Sequence, residues 1–200
     1  MGHFNMGMNS PFFDNGIRKY LNRTELFNFV RETRSAPTEA RLFCQVLAFA
    51  GCRITEAIAL RPGHIDVGQQ ALIFATLKQR SVTRYRQVPI PKPLMDDLVE
   101  WVNCRPGDNG KLWNIHRQTG WRWVKNIMHK AEITGAFATP RGLRHAFAVN
   151  AVQTSMPFDK IQKWLGHENP ENTAIYTNIV GPDELELAKN MWRSTELLLT

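Results

Sequence analysis

Apolar residues recur at helical spacing along nearly all of this chain, and that spacing gives way to strand-like runs only once, between Ala71 and Ile90. A chain patterned this way is limited to a mainly α fold with one small antiparallel β-sheet, an α+β domain in which the sheet is a local feature. The helices have readable ends. Asn22-x-x-Glu25 has the form of a capping box and opens a helix through about Glu32, with Leu26, Phe29 and Val30 on one face. Ser35-Ala36-Pro37-Thr38 starts a second helix, in which Leu42, Val46 and Phe49 recur at i, i+4 and i+7 before Gly51 stops it. Arg53–Leu60 reads as a short helix ended by Arg61-Pro62-Gly63. Strands are expected over Ala71–Ala75, near 76–78 and over Arg86–Ile90, with Gln79–Arg84 as the turn between the last two. Helices then follow over 91–103, 119–132, 140–154, 158–165, 172–179 and 183–197, separated by Pro and Gly breakers. Residues 1–19, rich in Met, Gly and Asn, read as a flexible arm, 20–181 as the folded domain, and 182–200 as a C-terminal helix beyond the Gly181-Pro182 break.

At 43% hydrophobic residues in 200, the chain can bury a real core and is not a disordered one. No apolar run reaches the roughly 18–20 residues of a membrane span, and the first residues lack the basic-then-apolar pattern of a secretory signal. Cys44, Cys52 and Cys104 are odd in number and show no CxxC spacing, so neither a disulfide framework nor a zinc site is expected. A reducing, cytoplasmic compartment fits. The charge is uneven: residues 67–158 carry 13 basic against 5 acidic residues, and no carboxylate lies between Asp66 and Asp96. A one-sign field of this kind favours a polyanion, most simply nucleic acid. Candidate DNA contacts within it are Arg80, Arg84, Arg86, Arg122 and Lys125.

Four segments carry groups capable of chemistry. They are Gly51-Cys52-Arg53-Ile54-Thr55-Glu56-Ala57; Lys78 with the following Arg86-Gln87-Val88-Pro89-Ile90; Thr139-Pro140-Arg141-Gly142-Leu143-Arg144-His145-Ala146-Phe147-Ala148; and Trp164-Leu165-Gly166-His167, with Tyr176 nine residues beyond the histidine. Two arginines can fork onto the oxygens of one phosphate. A lysine can protonate a leaving alkoxide, and a tyrosine oxygen can attack phosphorus and hold a covalent intermediate. Cations that neutralise the charge building at phosphorus make a metal unnecessary, and no cofactor is expected. Each residue alone also has an ordinary structural use: Arg53 pairing with Glu56, Arg144 facing solvent, Tyr176 packing in the core.

Taken in order, the four segments resemble those of the tyrosine recombinase, or phage integrase, family over about Tyr20 to Thr177. The resemblance implies the fold of that family's catalytic domain and DNA cleavage and rejoining through a 3′-phosphotyrosyl intermediate. Arg53 and Arg144 would clamp the scissile phosphate, Lys78 would protonate the 5′-hydroxyl, His167 would bond a phosphate oxygen and Tyr176 would be the nucleophile, with Glu56 orienting the arginine. The implied partner is double-stranded DNA with an inverted-repeat core site, bound by a homotetramer formed from free monomers. Two departures stand out. Arg141 occupies the place of the family's first His in His-x-x-Arg, and a guanidinium has no lone pair with which to take the tyrosine proton. His145 is expected to be no substitute, because one further step along a helix turns a side chain by about 100°. The family's N-terminal core-binding domain is also not expected before Tyr20, which suits either a small single-domain recombinase or a catalytic domain alone. A DNA-binding accessory protein of the same fold, and a type IB topoisomerase-like relaxing enzyme, are the competing readings.

Overall fold

In the computed structural model, residues 10–76, 84–105 and 110–178 are described. The chain enters through a tight turn rather than a loose arm: Phe12 bridges to Arg18, and Arg18 forks onto the Glu25 carboxylate at 2.5 and 2.6 Å while lying over the Phe137 ring. Only residues 1–9 of the expected arm lie outside the described residues. Helix α1 (Arg23–Glu32) begins with the predicted capping box: Asn22 Oδ1 accepts from the Glu25 N–H, and the Glu25 carboxylate accepts from the Asn22 N–H.

Helix α2 (Thr38–Ala50) is the axis of the domain. Its buried residues include Leu42 and Val46 on one side and Cys44 and Ala48 on the opposite side, as expected of a helix surrounded by others. It ends at Gly51, whose φ of +57° makes a left-handed cap. A Cβ there would lie 2.4 Å from the Phe147 ring, so the position needs glycine both for its backbone and for the close approach of the next layer. Helix α3 (Ile54–Ile58) follows at once.

The sheet differs in part from expectation. Its first strand, β1 (Ile65–Asp66), is too short to leave a periodic signal in the sequence. Thr76 does not start a separate strand but ends β2 (Ala71–Thr76), which pairs antiparallel with β3 (Arg84–Pro89) from Ala71 opposite Pro89 to Thr76 opposite Arg84. The order is β1-β2-β3. Long-range pairing sets these ends, and local composition does not reveal it.

Helices α4 (Lys92–Asn103), α5 (Arg117–Lys130) and α6 (Pro140–Gln153) then wrap α2. Helix α7 (Phe158–Leu165) has the predicted bounds, set by Pro157 and by Gly166 at φ +66°. The expected helix over 172–179 divides into α8 (Glu171–Ala174) and a 3₁₀ turn over Ile175–Asn178. The proposed helix over 183–197 lies outside the described residues. The main core surrounds α2, while a second, smaller cluster of Tyr20, Ala148, Val149, Ala151, Ile161, Leu165 and Tyr176 joins α6, α7 and the 3₁₀ turn. Among the described residues, no helix is long and apolar enough to cross a membrane.

Candidate active site

The site is built on helix ends. A helix leaves its last carbonyls without intrahelical partners and carries a partial negative charge there. Arg144, on α6, reaches two such ends: Nη1 donates to Gly51 O at 2.9 Å, just past α2, and Nη2 donates to Leu165 O at 2.7 Å, the last residue of α7. The side chain is therefore buried, not solvent-facing, at 8% exposure. Burial and then the Arg53 charge pull its pKa down to about 10, against the favourable fields of Glu56 and Tyr176, so it remains a cation at neutral pH. Those two bonds use two of its five N–H donors.

The neighbouring α7 carbonyl, Trp164 O, accepts from Arg86 Nε at 2.8 Å. The rest of the Arg86 guanidinium forks onto Glu56, Nη1 to Oε1 at 3.1 Å and Nη2 to Oε2 at 2.7 Å. Arg86 is thus a correction to the sequence reading. It looked like a DNA contact in a carboxylate-free stretch, but it is 6% exposed and committed to a carboxylate thirty positions away. Gly166 leaves room for it, since a Cβ there would meet Arg86 Nη1 at 3.0 Å. Glu56 also accepts from the Arg53 backbone N–H at 2.8 Å and from Arg53 Nη1 at 3.0 Å. Burial alone would raise its carboxyl, but the Arg86 bonds and charge, then Arg53, more than offset this and hold it below the ordinary value. The carboxylate therefore orients Arg53 and Arg86; Arg144 is oriented by carbonyls. Arg53 keeps 46% of its side chain exposed at the start of α3.

His167 follows α7 and bonds Thr173 Oγ1 through Nδ1 at 2.8 Å. Burial, then Arg144 and Arg53, push its pKa down to about 3, so the ring is neutral. Arg53, Arg144 and His167 thus lie within one another's fields. Tyr176, in the 3₁₀ turn, is 2% exposed, and burial raises its phenol to about 12 against the lowering pull of Arg144 and Arg141.

The residue that sequence reasoning set aside is His145. Its Nδ1 lies 2.7 Å from Tyr176 Oη, and Arg141 Nε donates to its Nε2 at 3.3 Å. The 100° step sets the direction of the side chain from its own helix but not what packs there, and the 3₁₀ turn packs there. One available signal was the i, i+4 spacing of Arg141 and His145, which puts them on one helical face. Of the remaining candidates, Arg84 and Arg122 are exposed. Lys125 donates to Ala138 O at 3.0 Å and lies 5.8 Å from the Trp121 ring centre. Lys78 and Arg80 lie outside the described residues. Among the described residues, no group of three His, Cys, Asp or Glu side chains is placed to hold a metal.

A family model described as the phage integrase family matches residues 20–180. Tyrosine recombinase XerA of Thermococcus kodakarensis is 26% identical over 178 residues, covering 84% of this chain and 61% of the relative. A tyrosine recombinase of Thermosipho africanus is 27% identical over 151 residues, covering 73% and 52%. The chain thus spans about three fifths or less of the length of these relatives. Among solved structures, XerA recombinase superposes with a TM-score of 0.75 at 23% identity, over 86% of this chain and 64% of that one. The catalytic domain of bacteriophage HP1 integrase superposes with a TM-score of 0.61 at 22% identity, over 86% and 93%. XerH bound to its difH substrate in a pre-cleavage complex gives 0.69 at 21%, over 90% and 59%. The fold is that of these catalytic domains.

Proposed function

Because the chain belongs to the phage integrase family of tyrosine recombinases, we propose that it is a site-specific DNA recombinase that works through a 3′-phosphotyrosyl intermediate. The observation that carries this reading is the placement of Arg144, a buried cation held between the ends of α2 and α7, in the shared field of Arg53, His167 and Tyr176. Such a cluster is preorganised for the charge that develops on a phosphate oxygen.

In the proposed step, the Tyr176 oxygen attacks phosphorus and the bond from phosphorus to the 5′ oxygen breaks. Lys78 supplies the proton to the leaving 5′-hydroxyl, and Arg53, Arg144 and His167 hold the non-bridging oxygens. The 5′-hydroxyl of a second strand then attacks the phosphotyrosine and restores the tyrosine. Bond energy is conserved throughout, so no cofactor enters. A DNA substrate follows from the likeness to XerH, which was captured on difH. The inverted-repeat site and a tetramer that assembles on paired sites complete the proposal.

The test is a randomised library of nicked duplexes, on which loss of the short strand traps the covalent product. Wild-type protein is expected to form an adduct that maps to Tyr176 by mass spectrometry, and Tyr176→Phe to form none while still retarding the same DNA. An adduct on another residue sinks the assignment, and binding without any adduct favours the accessory-protein reading. Adducts that relax supercoils but never exchange strands favour the relaxing enzyme.

A further inference from the structure

The bonding around His145 fixes which of its ring nitrogens carries the proton. A guanidinium can only donate, so the Arg141 Nε–H must be received by a lone pair on His145 Nε2. A neutral imidazole carries its one proton on the other nitrogen, here Nδ1. That nitrogen lies 2.7 Å from Tyr176 Oη, so the histidine is the donor and the phenol oxygen the acceptor. Both groups are buried, at 7% and 2% exposure.

We infer that His145 is a catalytic residue that donates a hydrogen bond from Nδ1 to the attacking Tyr176 oxygen, with its tautomer set by Arg141, and that it is not the base for the phenol proton. The inference rests on the reading of Tyr176 as nucleophile. As the oxygen attacks phosphorus it passes through a state with phenolate character, and a donor fixed on it lowers the energy of that charge. The phenol proton goes to water. Arg141 thereby acquires a use: it cannot replace a basic histidine, but it selects which nitrogen of the next residue on its face carries the proton.

The surroundings agree. The groups facing His145 are Arg141 and Arg144 from α6, Lys19 from the entry turn, His167 from the end of α7, and Tyr176. Burial first, then Arg141, Arg144 and Lys19, push the ring down to about 3. It therefore stays neutral wherever the reaction can run, and a proton acquired from Tyr176 would be held poorly among these cations.

Three measurements decide the matter. Ring ¹⁵N NMR of the free protein, which needs no DNA, is expected to show His145 protonated at Nδ1 and bare at Nε2 between pH 5 and 8 at every point; an Nε2–H tautomer overturns the inference. On the nicked duplexes recovered above, His145→Asn, which can offer an N–H near the same place but cannot accept a proton, is expected to keep cleavage within about tenfold of wild type. His145→Ala, lacking the donor, is expected to lose about a hundredfold or more. If active wild type is accompanied by an Asn variant as slow as the Ala variant, a base is at work and the inference fails alone. If wild type itself forms no adduct, the recombinase reading fails and takes the catalytic use of this pair with it. Finally, Arg141→Met releases the tautomer: its cleavage rate is expected to drop about tenfold at pH 8 and to recover as pH falls, because the imidazolium again carries a proton on Nδ1. A wild-type rate that itself falls through pH 6–7, with that fall removed by His145→Asn, overturns the assignment.

Discussion

Arg144 is held by two carbonyls that their own helices cannot satisfy, and this explains why an arginine rather than a lysine stands there. A planar fork can touch both oxygens and still present donors to a phosphate, whereas a single ammonium is a point charge. The cost of packing cations so closely falls on the histidines beside them. His145 and His167 are both held neutral, with burial first and the arginines second, down to about 3 from an ordinary 6.5. In the unfolded chain each binds a proton near that ordinary value. Between about 6.5 and 3 the unfolded state therefore carries more protons than the native one, so stability rises with pH across the window and is lost as pH falls. Glu56, held low, still contributes above the ordinary carboxylate range, so the interval from pH 6.5 to 5 reports the histidines. The thermal midpoint is expected to fall by about 5 °C or more between pH 6 and 5, as calorimetry will show, and His145→Asn is expected to flatten the decline.

At the scale of elements, the site is a set of joints. The carboxylate of α3 holds Arg86 of β3, Arg86 and Arg144 satisfy the last two carbonyls of α7, and Arg144 reaches back to the end of α2. Gly51 is where this chain of contacts is most exposed to a single change. Alanine there must hold φ +57° and push on Phe147 from 2.4 Å. Left-handed strain and overpacking together are expected to cost about 2–4 kcal/mol. A lower urea midpoint with an unchanged slope will register that cost, and cleavage will fall as well because the Gly51 carbonyl moves. Some of this was legible in the residues. Asn22 with Glu25, and Pro157 with Gly166, mark helix ends because caps are local chemistry. Arg86 and His145 were misread because their partners, Glu56 and Tyr176, arrive from elements 30 and 31 positions away. Strand β1 has two residues and exists only because β2 lies beside it. The four chemical segments were legible because each is short and self-contained, but Lys78 falls outside the described residues, and its place beside the cluster rests on the proposed function.

At the scale of the molecule, the acidic final segment, with Asp183, Glu184, Glu186 and Glu196 against Lys189 and Arg193, is expected to serve assembly rather than DNA contact. Deleting 183–200 should leave single-site binding largely intact and remove the four-protomer complex on paired sites, which mass photometry can count. A persistent tetramer shows that the segment is not what couples the subunits. The division of the interior into two clusters bears on a different property. Tyr176 belongs to the smaller one, built on the outer side of α6, while α2 anchors the larger. Cooperative units of unequal size open with unequal free energies. Amides of Ile175 and Tyr176 should therefore exchange with deuterium through a local excursion that never melts α2, at rates about a hundredfold or more above those of Val46 and Leu47. The tyrosine then has its own clock: the rest of the domain stays folded while this one turn opens, and each excursion breaks and remakes the contact with His145, so its frequency sets how often the buried hydroxyl trades its proton with water.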